Sequence, residues 1–274
     1  MSYKGNTKHN FETLKGVKNI LGVFSAKGGV GKSAISMQIA IALQKKGMKV
    51  GLADADIYGP SQSILFNSNP KELELIPNEV MKPLKKEGIK FISMGLISNT
   101  KTPVIWRGPM VSGAVMQLLT QTDWGELDYL VVDTPPGTGD VQLTLLQKIP
   151  LSSAIVVTTP QEIAISDCKK GIEMLKKLNL PIKGLIENMS WFQPNDSKKK
   201  YFLFGEDGGK DLADEYKIDL LAQLPLIEKE DQKELHDLDQ IKAYFETLTD
   251  KIIELIKELR TKKVDSIPQT NVTK

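Results

Sequence analysis

The stretch of sequence that decides the fold of this chain is Ser25-Ala26-Lys27-Gly28-Gly29-Val30-Gly31-Lys32-Ser33. An apolar run at residues 20–24 precedes it and predicts a buried strand, and apolar residues recur at helical spacing over residues 34–46. A glycine-rich loop between a strand and a helix can close its backbone N–H groups around a phosphate. The stretch therefore predicts a phosphate-binding loop, in which Lys32 reaches the β- and γ-phosphates and the Ser33 hydroxyl holds Mg²⁺. The alternative is a flexible glycine-rich turn.

A second predicted strand, at residues 48–53, ends on two aspartates, Asp54 and Asp56. In an open parallel sheet, ligands bind at the carboxyl ends of the strands, and these two side chains follow such an end. Carboxylates placed there beside a phosphate loop can hold the water shell of Mg²⁺ and orient the attacking water. An aspartate-rich turn without such a role is the alternative.

A third acidic position, Asp133, closes the apolar strand predicted at residues 127–132. This pattern is the Walker B form, in which the aspartate holds Mg²⁺ through its water shell. Residues 134–140 combine two prolines with two glycines, so this loop can adopt two positions according to whether a γ-phosphate is present. The chain order of Lys32, Asp56 and Asp133 favours this interpretation over an isolated strand-end aspartate.

Two further strands carry the remaining candidate positions. The strand predicted at residues 181–187 ends on Asn188, whose carboxamide offers a donor and an acceptor that can pair with an adenine edge. A strand-end turn residue is the alternative for Asn188. After the strand predicted at residues 153–159, a helix places Cys168 on an inward face with isoleucines, which favours a small core side chain over a metal ligand or a nucleophile.

Composition limits the classes of function. The 274 residues are 41% hydrophobic and 26% charged, as in ordinary globular proteins, and the formal net charge of +2 gives no global field for nucleic acid. We therefore expect no nucleic-acid partner. One cysteine excludes an intramolecular disulfide, and with no recognisable signal peptide it predicts a cytoplasmic location. No apolar run approaches the roughly 20 residues of a membrane helix, so we expect no stable membrane insertion.

The alternation of strands and helices predicts an α/β fold with a doubly wound, mainly parallel sheet and helices on both faces. We expect a flexible lead-in at residues 1–15, one domain at residues 16–262, and a disordered tail at residues 263–274. Residues 239–263 have the spacing of a long amphipathic helix, which we expect to dock on the sheet. A membrane-surface helix is the alternative for this segment.

Several motifs together resemble those of the Mrp-type P-loop ATPases, a family of iron–sulfur cluster carriers. The phosphate loop has Ala26 where a glycine is usual and carries two lysines, as in the deviant Walker A of the MinD/ParA group. The resemblance covers about residues 17–226. The other motifs that carry it are Asp54-Ala55-Asp56-Ile57-Tyr58-Gly59-Pro60-Ser61, Trp106-Arg107-Gly108-Pro109-Met110, Trp124-Gly125-Glu126-Leu127-Asp128-Tyr129, Asp133-Thr134-Pro135-Pro136-Gly137-Thr138-Gly139-Asp140 and Glu187-Asn188-Met189-Ser190.

This resemblance implies a homodimer that binds and hydrolyses ATP with Mg²⁺. It implies that Lys27 crosses the dimer interface to the partner's nucleotide; a solvated loop charge is the alternative for Lys27. It assigns hydrolysis and a share of the Mg²⁺ site to Asp56, with Ser33 and Asp133 as the other Mg²⁺ residues. It places Asn188 on adenine and Pro225 beside the base. The residues expected to bind the nucleotide are Ala26, Lys27, Gly28, Gly29, Val30, Gly31, Lys32, Ser33, Asn188 and Pro225.

The chain departs from the family at one site. Many members carry a Cys-x-x-Cys pair that holds an iron–sulfur cluster across the dimer, and the matching positions here are Pro194 and Ser197. Such clusters need thiolates, so an iron–sulfur cluster is doubtful at this place. The first functional hypothesis is an ATPase acting in cluster assembly or transfer to apoprotein acceptors. The second is a MinD/ParA-like positioning or scaffolding switch that acts on scaffold proteins without a cluster.

Overall fold

The structure is a computed structural model that describes residues 14–76, 80–97, 108–194, 196–226 and 239–265. Most of the expected lead-in and most of the expected tail lie outside the described residues, as do Trp106 and Arg107. The limits of the expected domain at residues 16 and 262 therefore stay a prediction.

Strands and helices alternate along the described chain, as the fold prediction requires. The strands are β1 (Ile20–Phe24), β2 (Val50–Asp54), β3 (Glu74–Ile76), β4 (Val80–Lys82), β5 (Leu84–Lys86), β6 (Ile89–Ser93), β7 (Tyr129–Asp133), β8 (Ser153–Thr158), β9 (Ile182–Glu187) and β10 (Leu220–Gln223). The helices are α1 (Lys32–Lys45), α2 (Gln62–Leu65), α3 (Met94–Ile97), α4 (Gly108–Thr120), α5 (Asp140–Lys148), α6 (Glu162–Lys177), α7 (Gly208–Tyr216) and α8 (Asp239–Asp265).

The central sheet has eight strands in the order β10-β9-β8-β1-β7-β2-β6-β5. All neighbours pair in parallel except β5, which runs antiparallel to β6 at one edge. The predicted doubly wound, mainly parallel α/β sheet is confirmed. Because β2 and β7 pair in register, Asp54 lies directly beside Asp133 at the carboxyl end of the sheet.

Helices cover both faces of the sheet, as predicted. Along β1, Leu21 and Val23 pack into a core with α1 and α8, whereas Ile20 packs toward α4 and α5 on the opposite face. Strands buried on both faces must be apolar at successive positions, which explains the unbroken apolar runs in the sequence. On the face opposite α1, Cys168 of α6 is 1% exposed within a cluster of aliphatic side chains, which confirms the prediction of a core thiol.

The long helix α8 docks on the domain, as expected from its apolar spacing. Phe245, Leu248 and Ile252 are buried against α1, and Lys46 pairs with Asp250 at 2.6 Å. The Lys251 ammonium also donates to the Leu221 carbonyl of β10 at 3.3 Å. Among the described residues, no helix is both long enough and apolar enough to cross a membrane.

The structure differs from expectation between β2 and β6. The prolines and many lysines of residues 62–88 favour surface connections. This segment instead contains α2, the separate hairpin of β3 with β4, and the edge strand β5. These strands are three residues long, which is too short for a pattern of alternating burial to be recognised. The turn from β5 to β6 uses Glu87 and Gly88, both with positive φ, so Gly88 was the available signal.

Candidate functional site

The phosphate loop joins β1 to α1 in the conformation that its glycines allow. Gly29 and Gly31 have φ of 82° and 85°, in the left-handed region that side chains with a Cβ avoid. At Gly31, a Cβ would also lie 2.3 Å from the amide nitrogen of Asn188. Helix α1 starts at Lys32, so the positive end of its dipole lies in the loop.

A cleft of about 600 Å³ opens beside this loop at the carboxyl end of the sheet. Four elements that are distant in sequence therefore meet around one space: the loop, the segment after β2, the segment after β7, and the end of β9. The lining side chains and backbone belong to Ser25, Gly28, Gly29, Gly31, Lys32, Ser33, Ala34, Asp56, Tyr58, Gly59, Ser61, Leu65, Pro136 and Met189.

Lys32 and Asp133 form an ion pair at the back of the cleft. The Lys32 ammonium donates to Oδ1 of Asp133, and the two side chains are 5% and 0% exposed. The Ser36 hydroxyl donates to the same Asp133 oxygen at 3.2 Å. Since Lys32 also lines the cleft, one lysine connects the Walker B aspartate to the space beside the loop.

Asp54 is buried beside Asp133 and is held by donors from three directions. Its carboxylate accepts hydrogen bonds from the Ser93 hydroxyl at 2.7 Å and from the backbone N–H groups of Gln62 and Asp56, both at 3.1 Å. Burial and then the neighbouring charge of Asp133 raise the pKa of Asp54 from 3.8 to about 7. Neither Asp54 nor Asp133 lines the cleft, so the two carboxylates lie behind its wall, and Lys32 connects Asp133 to it.

Asp56 lines the cleft and is 7% exposed. Its Oδ1 accepts hydrogen bonds from the backbone N–H groups of Tyr58 and Gly59 at 3.3 and 3.1 Å, which fix the carboxylate. Burial raises the pKa of Asp56, and the nearby Lys32 charge lowers it in part. A fixed carboxylate with a raised pKa at the wall of a cleft is suited to orient a water molecule.

A smaller pocket of about 200 Å³ adjoins the loop on the side of α8. Asn188 and Pro225, both predicted to contact the base, line it, and the Asn188 amide donates to the Val30 carbonyl at 2.9 Å. Tyr244 and Phe245 of α8 complete the wall. An apolar slot beside a phosphate loop, with a few polar groups, suits a flat heterocycle.

Two buried glutamines near the cleft and the smaller pocket were not predicted from the sequence. Gln62 bonds to Asp133 and Ser33, and Gln38 lines the small pocket with an amide nitrogen that has no hydrogen-bond partner among the described residues. Gln62 directly follows the Asp54–Ser61 motif, which was the only sequence signal for it. Gln38 interrupts the apolar spacing of α1 and gave a similar weak signal.

Two predicted features lie away from the cleft. Ala26 packs beneath the loop against the α6 core, and Lys27 is half-exposed and is not one of the side chains that line the cleft in the described chain. The turn at the expected cysteine positions has Ser197 N–H bonded to the Pro194 carbonyl at 3.1 Å, without thiols. Neighbouring lysines there cover aromatic rings, with Lys200 3.8 Å from the centre of the Trp191 ring.

The oxygen donors that line the cleft or lie directly behind it fit Mg²⁺. The Ser33 hydroxyl and the Asp56 and Asp133 carboxylates are hard ligands, and Mg²⁺ commonly takes one or two carboxylates together with water and substrate phosphates. The buried Oε1 of Gln62, beside Asp133, has no hydrogen-bond partner within the described part of the chain. No group of three or more His, Cys, Asp or Glu side chains in the described residues could hold a metal by itself.

Comparison with known protein families gives one match along most of the chain. The ParA model, described as NUBPL iron-transfer P-loop NTPase, matches residues 16–260. The iron-sulfur cluster carrier protein of Pseudomonas fragi is 48% identical over 217 residues, which cover 78% of this chain and 75% of that protein. The iron-sulfur cluster transfer protein NUBPL of Mus musculus is also 48% identical over 217 residues, covering 78% of this chain and 67% of that protein.

Some relatives are longer than this chain, which spans 59% of the Haemophilus influenzae iron-sulfur cluster carrier protein at 47% identity over 80% of its own length. Among solved structures, a nucleotide-binding protein in complex with ADP from Archaeoglobus fulgidus is 31% identical, with a TM-score of 0.69 over 88% of this chain and 90% of that one. The cell division ATPase MinD of Pyrococcus furiosus, at 19% identity, has a TM-score of 0.56 over 87% of this chain and 99% of that one, which shows a shared fold.

Proposed function

From the premise that this chain belongs to the ParA family of NUBPL-type iron-transfer P-loop NTPases, we propose that it is a homodimeric ATPase acting in iron–sulfur cluster assembly or transfer. The observation that carries the proposal is that the phosphate loop and Asp56 line one cleft, while Lys32 of that loop pairs with the buried Asp133. The ADP complex of the Archaeoglobus fulgidus relative supports an adenine nucleotide as the ligand. The names of the curated relatives support the iron–sulfur role.

In this proposal, ATP lies along the loop with its base in the small pocket. The backbone N–H groups of the loop and the start of α1 bind the phosphates, since both present partial positive charge to an anion. Asn188 and Pro225 contact the base, and Phe245 closes the pocket from α8.

The chemistry is divided among four side chains. Lys32 turns from Asp133 to the β- and γ-phosphates, and Ser33, Asp133 and Asp56 hold Mg²⁺. When bound, Mg²⁺ neutralises charge that develops on the phosphates during transfer. Asp56 orients the attacking water, and its raised pKa favours a proton acceptor at neutral pH.

Lys27 acts in trans in the proposed dimer. Because this side chain is half-exposed and does not line its own cleft in the described structure, it is free to reach a nucleotide bound by a partner. Hydrolysis then withdraws the γ-phosphate and releases the loop after Asp133, which carries Pro136 into the cleft wall. Dimer contacts and client binding change with this loop, and the clients are apoprotein acceptors of clusters.

The ATPase proposal is tested by measuring phosphate release from ATP with Mg²⁺. We expect Lys32→Ala and Asp56→Ala each to lower turnover by about 100-fold or more. Lys45→Ala, at the far end of α1, is the control and should leave turnover unchanged. Wild-type rates in both cleft variants would overturn the mechanism.

The cluster is cargo in this proposal, and its ligands cannot be the usual pair, since Pro194 and Ser197 have no thiol. Anaerobic reconstitution followed by iron and sulfide analysis tests whether the chain itself carries a cluster. Stoichiometric iron and sulfide per dimer would assign it as a carrier with other ligands. Their absence, with ATP turnover intact, would leave it as an ATP-driven helper of transfer.

The lack of thiols at Pro194 and Ser197 also favours a second candidate, a positioning or scaffolding switch that works on proteins without a cluster. Co-sedimentation with anionic liposomes and with DNA, with and without ATP, separates the two candidates. ATP-dependent pelleting would support the switch, and a chain that stays in the supernatant supports the first proposal.

A further inference from the structure

Gln62, the first residue of α2, joins three elements at the carboxyl end of the sheet. It is 0% exposed, whereas its neighbours Ser61 and Ser63 are partly exposed. Its side-chain nitrogen donates to the Ser33 carbonyl at 2.7 Å and to Oδ2 of Asp133 at 3.0 Å. Its backbone N–H donates to Asp54 at 3.1 Å. One residue therefore connects the start of α1 with the ends of β2 and β7.

These contacts determine which way the Gln62 amide faces. The Ser33 carbonyl and the Asp133 carboxylate oxygen only accept hydrogen bonds from it, so the NH₂ group must point at them. The Oε1 atom then faces away, and it is buried without a hydrogen-bond partner among the described residues. Burying such an acceptor destabilises the protein unless a donor bonds to it. We therefore expect a hydrogen-bond donor that arrives with the ligand to bond to Oε1 of Gln62.

Resting on the proposed function, we propose that Gln62 is a positioning residue for the Mg²⁺ site. Its NH₂ group holds Oδ2 of Asp133. Its Oε1 would accept a hydrogen bond from water that accompanies Mg²⁺. Mg²⁺ loses its water reluctantly and keeps several molecules when it binds nucleotides, so such donors accompany it. Loss of a residue that bonds to a metal ligand commonly lowers metal affinity by about 10- to 100-fold.

Gln62 and Lys32 bond to different oxygens of the Asp133 carboxylate. Lys32 bonds to Oδ1 of Asp133, whereas Gln62 bonds to Oδ2, so the two partners do not compete for one atom. When Lys32 turns to the phosphates, Gln62 still fixes the carboxylate. Because Gln62 also bonds to the backbone of Ser33, it supports two of the three proposed Mg²⁺ residues together.

The test measures metal binding apart from turnover. Calorimetry gives the affinity for ADP in EDTA, and electron paramagnetic resonance gives the affinity of the protein–ADP complex for Mn²⁺, which shares the oxygen ligands of Mg²⁺. The variants are Gln62→Met, which removes the amide, and Gln62→Asn, which is too short to reach both partners. Gln44→Met is the matched control, because Gln44 lies on the last turns of α1 over Gly88.

We expect Gln62→Met to weaken Mn²⁺ binding about tenfold or more, with ADP affinity in EDTA within about twofold of wild type. Gln62→Asn should show a smaller loss and Gln44→Met none. Unchanged Mn²⁺ affinity, or equal losses of Mn²⁺ and metal-free ADP, would overturn the inference. Should Gln62→Met fail to fold by circular dichroism, wild-type Mn²⁺ affinity in folded Gln62→Asn would overturn it. A wild-type chain that binds no ADP would instead overturn the proposed function.

Discussion

At the scale of single residues, the site depends on two carboxylates placed side by side without solvent. Asp54 and Asp133 are neighbours in the β2–β7 register, and both are fully buried. Asp133 is compensated by the Lys32 ammonium, whereas Asp54 has only neutral donors around it. A buried carboxylate without a cationic partner gains most from holding a proton, which is why its pKa rises.

This difference predicts a pH-dependent stability that Asp54→Asn removes. With a pKa of about 7 in the folded chain and 3.8 as the ordinary value, the folded protein binds more protons than the unfolded protein between these values. The free energy of unfolding of the wild type therefore falls as pH rises from about 4 to 7, by up to about 1.4 kcal/mol per unit of pKa separation. Urea denaturation in EDTA measures the free energy of unfolding at pH 5 and pH 8. The value for Asp54→Asn minus that for the wild type should be larger at pH 8 than at pH 5. An equal difference at both values would contradict it.

A second residue-scale prediction concerns Cys168. Burial raises the pKa of this thiol to about 12, so only roughly one molecule in ten thousand carries the thiolate at pH 8. We expect the native chain to resist a disulfide reagent at pH 8 and the chain in guanidinium to react with one thiol per molecule. Absorbance of the released thiol measures both, and Cys168→Ser provides the blank. Rapid reaction of the native chain would contradict the buried position.

At the scale of elements, the loop and α1 depend on one glycine more than on its neighbours. Gly31 has positive φ, and a Cβ there would displace the Asn188 amide, whereas a Cβ on Gly28 would meet nothing within 4 Å. We expect Gly31→Ala to lower the free energy of unfolding by about 1–3 kcal/mol and Gly28→Ala to change it by less than about 0.5 kcal/mol. Urea denaturation of the two variants measures the difference. Equal stabilities would show that the loop relaxes at little cost.

Helix α8 packs on α1 and also forms one wall of the smaller pocket. Leu248 and Phe245 are both buried against α1, but only Phe245 lines the pocket. Leu248→Ala and Phe245→Ala should each lower the free energy of unfolding by about 2–5 kcal/mol. Only Phe245→Ala should also weaken ADP binding, by roughly tenfold, which corresponds to about 1.4 kcal/mol of lost contact. Calorimetry on the folded variants checks this, and equal affinities would separate α8 from the nucleotide.

Elements with long, regular patterns were predictable, and short ones were not. The strand before the loop, the helix after it and the amphipathic α8 follow from apolar spacing alone. The hairpin of β3 with β4 and the edge strand β5 do not, because three residues hold no readable period. Asp133 could be predicted because it ends a strand. The role of Gln62 could not be predicted, because it arises from contacts with Ser33 and Asp133, which lie 29 and 71 positions away along the chain.

At the scale of the whole molecule, the proposed dimer gives a prediction about mass. Asp56→Ala should bind ATP without hydrolysing it, so with ATP and Mg²⁺ it should elute at twice the 30.4 kDa of one chain. Adding Lys27→Ala should return it to one chain, since the trans contact is lost. Size-exclusion chromatography with light scattering measures both. A dimer mass that stays the same without ATP and after Lys27→Ala would contradict the role of Lys27 in the partner's site.

The parallel sheet and the motif order made the family predictable from sequence, whereas the arrangement across the cleft needed the structure. The sequence predicts that Lys32 binds phosphate. In the structure its ammonium donates to Asp133, which lies 101 residues away along the chain. Such a contact depends on β1 lying between β7 and β8, and strand order is not encoded in any local pattern.

Both edge strands of the central sheet carry a feature that discourages edge-to-edge pairing. On one rim, β5 carries Lys85 and Lys86, and on the other, a lysine of α8 already occupies the Leu221 carbonyl of β10. Charged or covered rims discourage the edge-to-edge stacking that leads to aggregates. The proposed dimer would then form through loops, whose contacts can change with the nucleotide, and not through pairing of strand backbone.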